Sequence, residues 1–232
     1  MMRSVLILLM VLGGTAQPAQ SQQRTRIAVG VASAHLGDAG RAFDNLVTGF
    51  AQVAPGLQAQ RAYPAWWMLE AGASVPLGPV DVGARAQGRW TQADALYGDY
   101  AGTVDVVGRT RALVGEAEAS IPLGPERVRA GAHVGAVVTS TRLTADAVAT
   151  LDGQTEQSRY RLTGTGVGPT AGASLHARLP MGAAAVSARL GVRWGQVRRL
   201  NAQESTPTSQ TSGQLRLVHG FSGVSFTLGV EL

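Results

Sequence analysis

Cysteine and lysine are both absent from this chain of 232 residues. Without cysteine there is no disulfide, no thiolate metal site and no lipid-carrying thiol. Without lysine, all 20 basic residues are arginine, and with the many Ala and Gly this looks like the product of a GC-rich genome. The pI near 10.6 therefore says little about nucleic acid, because the net charge is only +5 and the arginines are scattered. No arginine-rich run with interleaved aromatics occurs, which argues against a nucleic-acid partner. Long apolar runs are missing too: beyond the first residues none reaches the roughly 18–20 that a membrane-crossing helix needs.

What is there begins with "MMR", then "SVLILLMVLGG", then "TAQPAQ". A positive start, a short apolar run and a small-residue zone are the layout of a secretory signal peptide over residues 1–19, with cleavage expected after Ala16 or Ala19.

The rest is organised by a repeated corner. "ASVPLGPVDVGARA", "ASIPLGPERVRAGA" and "ARLPMGAAAVSARL" align on Pro76, Pro122 and Pro180, with Gly78, Gly124 and Gly182 two residues on. Proline suits the second position of a type I turn, and the glycine suits the φ > 0 position that closes a hairpin. On both sides of each corner the sequence alternates with period two, the mark of a strand with unlike faces. Trp67, Leu69, Ala71, Ala73 and Val75 share one face, for example, while Glu70 falls on the other. Three hairpins give six strands. An opening strand with Ile27, Val29 and Val31 outward and a closing one with Val224, Phe226, Leu228, Val230 and Leu232 outward make eight.

The links between strands alternate in length. The proline corners are short, whereas 37–63, 91–108, 142–157 and 198–217 read as long loops. Short turns at one end and long loops at the other define an eight-stranded antiparallel up-and-down transmembrane β-barrel over residues 24–232, turns periplasmic and loops extracellular. Trp67, Trp90, Tyr160 and Trp194 fall at the long-loop end, as an aromatic girdle would. The competing reading is a soluble barrel with the apolar residues inside. Against it, the apolar face is mostly Ala and Val, too small to fill a core. The polar face also carries a near-balanced charge set suited to a narrow lumen: Glu70, Asp81, Glu116, Glu118 and Glu231 with Arg85, Arg89, Arg129, Arg178, Arg189 and Arg193, and His133 among them. In lipid, closure also satisfies every backbone group.

The terminal stretch "GVSFTLGVEL" resembles the C-terminal strand signal of outer-membrane barrels, with Leu232 where that pattern prefers phenylalanine. On this strand, the alternation and the turn lengths, the chain resembles the small OmpA-type and OmpW-type barrels of the bacterial outer membrane. The resemblance implies an outer-membrane location, insertion machinery that reads the last strand, lipid as the surrounding partner, and a monomer.

Eight strands enclose a space that side chains can fill. The expected function is a structural or surface-interaction protein with a charge-plugged lumen, any extracellular ligand being held by the loops. The alternative is a small channel or a carrier of small or hydrophobic solutes. A lipid-modifying enzyme ranks third: the His-x-Ser arrangement of the lipid A deacylases is absent at His133 and His176, and Ser33 with His35 has no evident acid. "GTGVGP" lacks the Lys-Ser/Thr of a P-loop, and the histidines have no metal-ligand spacing, so neither cofactor nor metal is expected. The stretches "TADAVATLDGQTEQ" and "NAQESTPTSQTSG" read as polar loops. In the first loop, Phe43, Leu46, Val47, Phe50 and Val53 fall on one helical face ended by Pro55-Gly56, a short helix near 40–54 that either packs on the rim or caps the lumen.

Overall fold

The alternating stretches do form strands, and the corners join them. The computed structural model describes residues 23–232 apart from 34–35, 53, 55, 62, 64, 125–126, 152–153, 198–199, 207–208, 216–218 and 221. The expected signal peptide thus lies outside the described residues. Eight strands close the ring: β1 (Arg24–Ala32), β3 (Trp66–Leu77), β4 (Val80–Asp99), β5 (Gly102–Pro122), β6 (Val128–Leu151), β7 (Gln154–Met181), β8 (Ala184–Val197) and β12 (Gly223–Glu231). Each pairs antiparallel with its neighbour, and β1 joins β12 to β3, so that Val29 lies between Leu228 and Leu69. No edge is left unpaired in this ring, which is the condition for a sheet to cross lipid.

Exposure follows the expected phase. Ile27, Val29, Leu69, Leu113, Val134, Leu175, Leu190 and Leu228 are each about half exposed on the outer wall. Arg85, Glu116, His133 and Arg193 are buried inside it. An apolar exterior around a charged interior is the arrangement of a membrane barrel and the reverse of a soluble one.

At the corners the glycines behave as expected, Gly78, Gly124 and Gly182 having φ of 63°, 67° and 69°. The prolines do not take the turn position: Pro122 pairs with Arg129 on the last rung of its ladder, and Pro76 with Asp81 and Pro180 with Ala185 one rung before the last. A residue without an N–H costs least near a strand end.

The long links are the main departure from the sequence reading. β4, β5, β6 and β7 run for 20, 21, 24 and 28 residues, whereas about 9–11 suffice to cross a bilayer. Residues 91–99, 102–108, 142–151 and 154–157 are therefore strand, with β4 and β5 meeting at Tyr100–Ala101. The link 198–217 carries strands as well: β9 (Leu200–Thr206) extends the wall from β7, and β10 (Ser209–Leu215) pairs with β9. A short β2 (Gln58–Arg61) adds to β4 on the other side, and β11 (His219–Gly220) to β8.

The physical reason lies in the side chains. Above Trp90 the alternation continues with its polarity reversed: Ala93 and Ala95 point inward while Gln92 and Asp94 face out. On β5, Val104 and Val106 are buried while Asp105, Arg109 and Arg111 are exposed. That is the pattern of a water-soluble sheet wall, continuous with a membrane wall below it. The helix expected near 40–54 is α1 (Asp38–Ala51), and it lies against this upper wall, touching β2, β5 and β6.

Candidate functional site

The interior is built in layers. At the turn end, Asp81 takes Arg24 Nη1 at 2.9 Å and Arg129 Nε at 3.1 Å. Glu231 takes His176 Nε2 at 2.7 Å and Arg178 Nε at 3.0 Å. Between these pairs a cavity of about 460 Å³ opens toward the turns, with Arg26, Glu70, Arg85, Glu118 and Arg189 on its inner wall.

That inner wall is crowded with charged side chains. Glu70 is buried, ion-paired to Arg26 and, at 3.2 Å, to Arg189 Nη1, and it accepts a hydrogen bond from Gln87 Nε2 at 2.5 Å. Arg189 also reaches Glu118 at 3.0 Å, and Arg85 reaches it at 3.4 Å. One layer higher, Glu116 receives Arg85 Nε at 2.8 Å, Arg193 Nη2 at 2.6 Å and the Thr170 hydroxyl at 3.1 Å. His133 Nε2 lies 3.8 Å from Glu116. Arg89 donates to Gln87 Oε1 through Nε and Nη2 at 3.2 and 2.9 Å. Every buried carboxylate here faces at least one guanidinium, as the cost of an unpaired buried charge requires.

Above the charges the interior turns apolar. Thr110 and Thr141 hydroxyls meet at 3.1 Å, and beyond them Trp66, Met68, Val106, Leu143, Leu162 and Val197 form one packed cluster. Helix α1 lies over it. Phe43 is fully buried and packs edge-on against Tyr63, ring centroids 5.6 Å apart. Leu46, Val47 and Phe50 pack on the same cluster, so the amphipathic face caps the interior; Val53 lies outside the described residues. Tyr63 has φ 34° and needs the space left by Gly108, where an added Cβ would collide with its hydroxyl. Burial pushes the Tyr63 phenol above its ordinary pKa.

The sequence-derived lumen residues thus meet in two linked groups, one around Glu70 and Glu118 and one around Glu116, with Asp81, Arg129 and Arg178 at the open end. The structure adds Arg24 and Arg26, which the sequence reading leaves out. The phase that turns Ile27, Val29 and Val31 outward turns both arginines inward, so the opening strand does carry the signal, just ahead of its first aliphatic residue. Of the expected girdle, Trp67, Trp90 and Trp194 stand 58, 46 and 60% exposed at the outer end of the apolar belt. Tyr160 departs from it: it lies opposite Ala145 and packs on the interior cluster, because β7 has already passed into the reversed-polarity wall.

No protein-family model matches the sequence, and no curated protein is detectably similar to it. Solved structures are similar in fold. The chain resembles a major outer membrane protein from Thermus thermophilus at 14% identity and a TM-score of 0.50, over 90% of this chain and 98% of that one. Similarity also extends to Ail, the attachment invasion locus protein of Yersinia pestis, at 11% identity and a TM-score of 0.36 over 90% and 98%. Neisserial surface protein A aligns at 10% identity and a TM-score of 0.30 over 93% and 99%. The fold is that of a small eight-stranded outer-membrane β-barrel. Its closed ring and apolar belt are those of a barrel that crosses a lipid bilayer.

Proposed function

We propose that this protein is a closed, non-enzymatic barrel with a structural or surface-interaction role, anchoring a rigid β-structure above the outer membrane. The observation that carries the reading is double closure of the interior. The Glu70 and Glu116 ion-pair layers obstruct the lower half, and the α1-capped apolar cluster fills the upper half. An ion would have to break buried pairs and then cross a packed apolar layer, and each step is costly. Both interior histidines lie against carboxylates already engaged by arginines, Glu116 and Glu231, which favours a structural role for them over acid–base work. The chain acts as a monomer in this reading, since β1 and β12 of one copy satisfy each other's backbone. Strand β12 is then what the insertion machinery reads, and any extracellular ligand meets the upper wall.

Planar-bilayer recording of the refolded protein tests this. The expected result is no steady conductance at moderate voltage. Stable stepwise currents would overturn the closed reading and support the small channel or carrier instead.

A further inference from the structure

The outer wall changes character over two rows of residues, and arginine gathers at the change. Leu113, Val138 and Val167 stand side by side at the top of the apolar belt. In the next row Trp90 pairs with Arg111, and in the row above Arg109 lies directly opposite Arg142. Arg161 follows on the diagonal, two residues beyond the partner of Arg142. All four arginines are exposed, on positions alternating with the buried Thr110, Ala112, Thr141, Leu143 and Leu162. Directly opposed residues have their Cβ atoms ~5 Å apart and diagonal ones ~7–8 Å, and like charges so placed repel.

Two outward carboxylates lie only on diagonals of the cluster, Asp94 beside Arg109 and Asp146 beside Arg161, so four guanidiniums face at most two carboxylates. Arg109 donates only to the neutral Gln92, at 3.2 Å. The neighbouring Asp146 is engaged by Arg159 at 2.5 Å. Among the described residues no carboxylate forms an ion pair with Arg109, Arg111, Arg142 or Arg161. Beneath the cluster, the lipid-facing positions of β5 and β6 are apolar throughout: Leu113, Gly115, Ala117 and Ala119 beside Val138, Ala136, Val134 and Ala132. A cationic shelf therefore sits on top of an apolar column.

We infer that this shelf and column form a docking site for one phosphorylated lipid of the outer leaflet. Its phosphates bridge Arg109, Arg111, Arg142 and Arg161, and its acyl chains lie on the apolar surface below. Guanidinium suits phosphate because its fork of N–H donors matches phosphate oxygens. The lipid is favoured over a soluble polyanion because the cluster begins beside a girdle tryptophan and continues into the belt. The inference rests on the barrel being in the membrane, and the experiment separates the two.

Refolded full-length wild type, an Arg109→Gln/Arg111→Gln/Arg142→Gln/Arg161→Gln variant and a milder Arg111→Gln/Arg142→Gln variant are first checked for a heat-dependent gel shift. Loss of the shift in wild type would sink the membrane reading itself. With the shift present, binding of diphosphoryl lipid A in neutral micelles is measured. Affinity should fall about fivefold per arginine removed, and the dephosphorylated lipid should bind wild type as weakly as the diphosphoryl lipid binds the fourfold variant. Arg127→Gln, at a periplasmic corner, should leave binding unchanged. Equal binding by wild type and both variants, equal binding of the dephosphorylated lipid, or full competition by heparin or inorganic phosphate would overturn the proposal.

Discussion

Glu116 is the residue on which most of the lumen converges: its side chain is fully buried and holds two arginines, a threonine and a nearby histidine. Removing that charge alone leaves Arg193 with no carboxylate within salt-bridge range among the described residues. Glu116→Ala is therefore expected to destabilise the refolded barrel by about 3–5 kcal/mol in urea titration. Removing both charges together, as Glu116→Met with Arg193→Met, should recover most of that loss. Arg85 then still has Glu70 at 3.8 Å and Glu118 at 3.4 Å. A double variant as unstable as Glu116→Ala would show that the pair is worth more than its removal costs, against this account. At this scale the sequence was legible wherever a charge fell on the phase opposite an aliphatic run, which is how Glu70, Glu116 and Arg193 were found. Which arginine meets which carboxylate was not legible, because partners such as Arg193 and Glu116 come from strands that do not pair with each other. Only ring closure brings them together.

The strand is the scale at which the reading of the sequence both succeeded and fell short. Its period of two is independent of surroundings, so β12 and both arms of the proline corners could be read directly. The segments 91–108 and 142–157 kept that period, yet their apolar residues changed sides. They therefore carry no lipid-facing apolar run and read as loops in the sequence. The amphipathic face of α1 was visible in Phe43, Leu46, Val47 and Phe50, whereas its seat was not, because that seat is the reversed wall. The boundary makes a sharp prediction. Leu228 and Leu96 both point outward, 48 and 52% exposed, but Leu228 lies in the belt and Leu96 above it. Leu228→Arg should cost about 2–4 kcal/mol in a lipid-supported unfolding titration. Leu96→Arg should stay within about 0.5 kcal/mol of wild type, as an exposed substitution does. Similar costs at the two positions would contradict the boundary.

Taken whole, the molecule is one continuous barrel in two environments: a charge-filled section with an apolar exterior, and above it an apolar-filled section with a polar exterior. Each section obeys the same rule, that the face away from its surroundings must be satisfied from within. The lower section meets it with ion pairs and the upper with packing under α1. This arrangement explains why the exposed tryptophans mark the end of the belt and why the arginine shelf begins there. The central claim is that the ring is closed and its belt is made for lipid. The most direct test is electrophoresis in SDS of the mature chain refolded in detergent, with and without boiling. A closed barrel should resist SDS unheated and shift in mobility on boiling. A single mobility under both conditions, from a chain that folds in buffer without detergent, would contradict the account and turn the apolar wall into an interior.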